Sequence, residues 1–143
     1  MSVLVDTGVL YAEHDTDASR HEQASSALEA VYDAELGQPY VSDYIYDEAV
    51  TLTLVRGNSS HAAKELGKRL RGADPYSSAY EILRVSSSVF NDAIELFERY
   101  HDQELSFTDA TSVTLCNRHD IDGILSFDDD FDGVVSRIDP TDL

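Results

Sequence analysis

Near its start the chain runs Val3-Leu4-Val5 straight into Asp6-Thr7-Gly8. A short, unbroken apolar run that stops at a turn residue marks a strand buried on both faces, as in a parallel sheet. A strand of that kind needs helices to cover it, and the rest of the chain supplies them. Between about Ala18 and Glu35, Ala24, Ala27, Leu28 and Val31 recur at helical spacing, and Gly37-Gln38-Pro39 ends the pattern. Tyr40-Val41 reads as a brief strand. Ser42 or Asp43 then caps a helix to about Val55, and Ser59 or Ser60 caps another to about Arg71, closed by Gly72-Ala73-Asp74-Pro75.

Tyr80 to Val85 predicts a third strand. Ser87 or Ser88 opens an amphipathic helix through Tyr100, with Phe90, Ala93, Ile94 and Phe97 expected inward. Thr108 is the expected cap of a last helix to about His119, followed by a strand over 123–127 and a short one at Val134-Val135. Strands alternating with helices predict an α/β fold: a sandwich around a mostly parallel central sheet of four to five strands, in a single domain over 1–143.

The 143 residues hold 28 acidic and 10 basic side chains, for a formal net charge of −18. Such a balance is a poor footprint for nucleic acid, whose phosphates are usually met by basic patches. The acids are spread among periodic apolar residues, so they do not form a disordered tail. Only Lys64 and Lys68 are lysines, against eight arginines. Acid-rich and lysine-poor is the composition expected of a cytoplasm kept at very high salt, and it would equally suit a basic partner. No apolar run reaches the ~20 residues of a membrane span, and Val5 leads at once into Asp6, so neither an anchor nor a signal peptide is expected. The lone Cys116 excludes a disulfide framework.

Most of the acids read as solvated surface, but Asp6, Glu48, Asp109 and Asp128 keep apolar company. Asp6 and Asp128 follow apolar strands, at the carboxyl ends where open α/β sheets bind ligands. Glu48 lies in line with Ile45, Ala49, Leu52 and Val55, while Asp47 is turned about 100° away toward water. Asp109 shares a face with Val113 and Cys116, although an acid in the first helical turn also suits the helix dipole. Converging carboxylates repel one another and resist burial unless something neutralises them. A hard divalent cation, Mg²⁺ or Mn²⁺, does so with oxygen ligands. The histidines, His14, His21, His61, His101 and His119, lack zinc spacing and read mostly as surface. With no Ser or Cys nucleophile paired to a base, the economical chemistry is phosphodiester hydrolysis by a metal-activated water.

Four stretches then carry a family likeness: Val3-Leu4-Val5-Asp6-Thr7-Gly8; Val41-Ser42 through Glu48 to Val55-Arg56; Ser106-Phe107-Thr108-Asp109-Ala110; and Leu125-Ser126-Phe127-Asp128 with Phe131-Asp132. Together, in this order and spacing, they resemble PIN domains, and among them the VapC-like toxin ribonucleases. The resemblance implies a three-layer α/β/α sandwich and Mg²⁺-dependent endoribonuclease activity, with Mn²⁺ as substitute. It implies Asp6, Glu48 and Asp109 as central acids and Asp128 as a more variable fourth, with Asp130 as its alternative. It further implies that Thr108 and Ser126 position water or ligands, although a plain helix cap and a strand-end hydroxyl describe them equally well. A homodimer and a small antitoxin, often basic at its C-terminus, belong to the same expectation, as does a cytoplasmic location.

For RNA the chain offers residues 56–84, where Arg56, Lys64, Lys68, Arg69, Arg71 and Arg84 outnumber Glu65, Asp74 and Glu81. This is the candidate phosphate-contacting rim. Two other readings stay open: a PIN nuclease of RNA processing or turnover without an antitoxin, and a non-catalytic PIN-fold binding module.

Overall fold

The computed structural model describes residues 1–100 and 102–143. Its strands are β1 (Ser2–Val5), β2 (Gln38–Ser42), β3 (Glu81–Leu83), β4 (Gly123–Leu125) and β5 (Arg137–Ile138). They form one five-stranded sheet in the order β3-β2-β1-β4-β5, and every pairing is parallel. The apolar run that opens the chain is therefore the central strand, and Val3, Leu4 and Val5 are fully buried.

Parallel neighbours need crossovers, and six helices provide them: α1 (Thr7–His14), α2 (His21–Tyr32), α3 (Asp43–Val55), α4 (Ser60–Arg71), α5 (Ser87–Arg99) and α6 (Phe107–Arg118). The first two crossovers step one way along the sheet and the third steps back across it. Right-handed connections then put α1–α4 on one face and α5 and α6 on the other. The packing agrees: α1 meets α2 and α3, α3 meets α4, and α5 meets α6. Among the described residues no helix is long and apolar enough to cross a membrane.

The differences from the sequence reading have local causes. The eight-residue α1 follows β1 with one residue between, and its Gly8 and short length hide the helical stripe of Val9, Leu10 and Ala12. Strand β5 lies at Arg137–Ile138 rather than Val134-Val135, because both valine N–H groups bond back to the Phe131 carbonyl in a turn. In α5 the buried stripe is Val89, Ala93 and Leu96, whereas Phe90 and Phe97 are each 41% exposed. Those two rings stand edge-on to Phe107, with centroids 5.4 and 5.9 Å away. Helix α5 opens at Ser87, as expected, and Ser86 caps it, its hydroxyl accepting from the Val89 N–H at 3.2 Å. Helix α4 ends as expected, at Gly72 with φ of +68°.

The topology also places the site. The chain leaves β1 toward β2 on one side and β4 toward β5 on the other, so a crevice opens where these adjacent strands end. Val5 pairs with Leu125, and the Asp6 N–H donates to the Leu125 carbonyl at 3.0 Å. The residues just beyond both strands thus stand side by side.

Candidate functional site

A cleft of about 330 Å³ lies at this strand end, lined among others by Asp6, Glu48, Asp109 and Asp128. All four carboxylates come together there, from β1's end, α3, α6 and the segment after β4. Asp6 is 8% exposed. Its Oδ2 accepts from the buried Ser126 hydroxyl at 2.6 Å, and Ser126 Oγ in turn accepts from the Asp128 N–H at 3.0 Å. One hydroxyl therefore ties two of the acids to the end of β4.

Asp109 is oriented by a capping box. Its Oδ2 accepts from the Ser106 N–H, and the Ser106 hydroxyl accepts from the Asp109 N–H, both at 3.0 Å. Ser106, not Thr108, is thus the cap of α6, and Thr108 sits one position inside the helix. Thr108 shares with Glu48 a shallow neighbouring cavity, and its carbonyl accepts from the Thr111 and Ser112 hydroxyls. On α3, Glu48 is half-buried and Asp47 exposed, as their spacing predicts. Asp128 lines the cleft and Asp130 does not. The Asp130 N–H donates to Asp128 Oδ1 at 2.9 Å, so the second acid helps to hold the first. Carboxylate oxygens of Asp128, Asp129 and Asp130 lie within 4.8 Å of one another, forming an acidic cluster at the rim.

Burial pushes the Asp6 carboxyl up to about 7; the Ser126 hydrogen bond pulls against this, and the charges of Asp109 and Glu48 add to it. Asp109 is also raised, first by burial and then by Asp128 and Glu48, against the bonds from Ser106. Among the described residues no lysine or arginine forms an ion pair with any of the four acids. Four carboxylates that line one cleft, none of them ion-paired to lysine or arginine among the described residues, suit a small hard cation. Thr7 lines the cleft too, at 5% exposure, and its Oγ1 is buried with no hydrogen-bond partner.

Other chemistries find no support among the described residues. Burial pushes the Cys116 thiol up to about 12, which leaves it protonated. His61 and His119 are exposed, as expected. His14 is not: burial lowers it to about 4. His21 Nδ1 lies 2.9 Å from the Ala12 carbonyl, and His101 lies outside the described residues.

The basic residues of 56–84 are not brought to the acids. Lys64, Lys68 and Arg71 line a groove between α3 and α4 together with Tyr46, Val50 and Leu54. Those α3 positions lie about 200° round the helix from Glu48 and Leu52, so α3 stands between groove and cleft. Arg69 packs on the rings of Tyr32 and Tyr76, at 5.2 and 4.7 Å, and Arg56 is an exposed residue at the end of α3. The cation that does line the cleft is Arg20, in the loop before α2. Sequence reasoning missed it, together with Thr7 and Ser106. Only Ser106 left a signal, as the Ser-x-x-Asp spacing of a capping box.

Several solved structures resemble this fold, a toxin and a toxin–antitoxin complex among them. A VapC20 toxin of Mycobacterium tuberculosis, described as cleaving the sarcin–ricin loop, superposes with a TM-score of 0.76 at 23% identity, covering 90% of this chain and 92% of that one. A toxin–antitoxin complex from Klebsiella pneumoniae gives 0.65 at 18% identity, over 96% and 97% of the two chains. FitAcB from Neisseria gonorrhoeae gives 0.66 at 18% identity, over 99% of each. At these identities the likeness concerns the fold. No curated protein sequence matches the chain. The family model for the PIN domain matches residues 3–135, nearly the full length, and the chain belongs to the PIN domain family.

Proposed function

We propose that the protein is a Mg²⁺-dependent endoribonuclease, the toxin of a toxin–antitoxin pair. The observation that carries this reading is that Asp6, Glu48, Asp109 and Asp128 line one cleft with none of them ion-paired to lysine or arginine among the described residues. Mg²⁺, or Mn²⁺ in its place, would be held by these acids and would supply charge neutralisation and polarisation of water and phosphate. The chain's own part is orientation. Ser126 fixes Asp6, Ser106 fixes Asp109, and the Asp130 N–H fixes Asp128. On this reading Thr108, which lines a shallow cavity together with Glu48, helps to position water. With the Cys116 thiol protonated and buried, water is the nucleophile.

The toxin assignment draws on the neighbours, among them a toxin–antitoxin complex and FitAB bound to a DNA fragment. On this reading the chain is one domain that works in the cytoplasm as a homodimer and is silenced by a basic antitoxin. Lys64, Lys68 and Arg71, beyond α3, would meet RNA flanking the cleavage point, with Arg56 and Arg69 nearby. The net charge of −18 supports a protein tuned to high salt.

The test is incubation of the pure protein with structured RNAs, a sarcin–ricin stem-loop among them, in molar KCl with Mg²⁺ or Mn²⁺. Wild type should cleave. Asp6→Asn, or chelation of the metal, should lower the rate by roughly two orders of magnitude or more. Equal cleavage by the variant would overturn the assignment.

A further inference from the structure

The acidic cleft poses an electrostatic problem for its proposed substrate. A single divalent cation does not neutralise four carboxylates, so an approaching phosphodiester still meets net negative charge. Something cationic must stand where the phosphate arrives, and it must not be consumed by the acids themselves.

Arg20 meets both conditions. It lines the cleft, it is exposed, and among the described residues it makes no ion pair. Its side chain does not cap α2 either. What places it is a ring: the guanidinium carbon lies 4.8 Å from the centroid of Phe127, the residue between Ser126 and Asp128. Stacking on an aromatic face leaves the edge of the fork, with its N–H donors, open to a ligand.

The chain beside it leaves room for the phosphate to approach. Helix α1 begins there, and its N-cap residue Asp6 makes no side-chain cap bond. The first-turn residues Thr7 and Gly8 both line the cleft. The Thr7 hydroxyl is buried and unpartnered, and a Cβ built on Gly8 would meet nothing within 4 Å. A free planar cation over an open approach at Gly8 matches the oxygens of a phosphate.

We propose that Arg20, seated on Phe127 above the start of α1, is the phosphate-binding residue that holds the RNA backbone in the cleft. The proposal rests on the nuclease reading for its substrate, yet it is testable apart from cleavage. The probe is a fluorescent 2′-O-methyl oligoribonucleotide, which such an enzyme binds without cutting, followed by anisotropy as KCl is varied.

Arg20→Gln should weaken binding about tenfold and reduce the salt slope by about 0.7, the loss of one phosphate contact to a single strand. Arg20→Lys should recover only part, because an ammonium lacks the planar fork. Phe127→Leu, which keeps the arginine and removes its seat, should cost severalfold. Calorimetric Mn²⁺ affinity without RNA should hold or tighten in Arg20→Gln, since a nearby positive charge has gone, and the melting temperature should not move. Oligonucleotide binding within twofold of wild type in Arg20→Gln would overturn the proposal, as would a wild type that does not bind the probe. So would a parallel loss of Mn²⁺ affinity, which would make Arg20 a support of the acids. A wild type that binds the probe through Arg20 yet cleaves no RNA would instead sink the nuclease reading and leave this one standing.

Discussion

Asp6 shows how one residue can set the balance between stability and function. Its carboxyl titrates near 7 in the fold, against 3.8 for the free group, with burial the main cause. Between those values the folded chain holds a proton that the unfolded chain releases. The Asp6 contribution to stability is therefore complete below about pH 4, shrinks as pH rises through 7, and is gone above that. A shift of this size corresponds to something on the order of 4 kcal/mol. In metal-free protein, wild type should lose stability between pH 5 and 8 relative to Asp6→Asn, which should melt higher at pH 8. Adding Mn²⁺ at pH 8 should raise the melting temperature of wild type and leave the variant unmoved. A wild type and variant with parallel pH profiles would show that Asp6 is not held protonated. This position was legible in the sequence only in company: a strand-end aspartate alone reads as a turn or cap, and Glu48, Asp109 and Asp128 in motif order singled it out. Arg20 was not, since an exposed arginine in a loop looks like any other until Phe127 and the cleft come up beside it.

Whole elements deliver the acids, and the ends of those elements decide how well. Helix α6 carries Asp109 in its first turn, and the capping box uses the same carboxylate that the site needs. Ser106→Ala should therefore do two things at once. It should cost about 1 kcal/mol of stability through the lost cap, and it should loosen Asp109 and weaken Mn²⁺ binding severalfold in calorimetry. Thr108→Ala should leave stability nearly unchanged, because Thr108 is not the cap. A Thr108 variant that destabilises as much as the Ser106 one would reverse the two assignments. Reading the sequence by cap propensity chose Thr108; the Ser-x-x-Asp spacing of a capping box, two residues earlier, was the signal for Ser106. Periodicity meets its own limit in α5. Val89, Phe90, Ala93, Ile94, Leu96 and Phe97 form an apolar arc about 160° wide, broader than the buried stripe, so periodicity predicted the helix but not which edge of the arc faces the core. Helices α3 and α4 matched their expected bounds because each carries a serine cap and a clear stop.

At the scale of the molecule the governing quantity is the charge of −18. The acids of the cleft account for a small part of it, and many of the others, such as Glu22, Glu29, Glu35, Asp47 and Glu95, are exposed. In dilute buffer, where the Debye length is ~10 Å at 0.1 M, these charges repel across the whole surface and favour expansion. Near 1 M the length falls to ~3 Å, shorter than the usual spacing of surface charges, and the repulsion is largely gone. The melting temperature should therefore climb steeply between 0.1 and about 1 M KCl and flatten beyond it. NaCl should act alike, because screening depends on ionic strength. A strengthening of apolar burial by excluded salt would behave differently, continuing to rise with concentration and ranking sulfate far above chloride. Lowering the pH toward 5 in dilute buffer should partly replace the salt, since protonating surface acids removes the same repulsion. Thermal scans across the KCl series, repeated with NaCl and with sodium sulfate at equal ionic strength, separate the two mechanisms. A protein as stable at 0.1 M as at 1 M would show that the surface charge is tuned to a partner and not to the solvent.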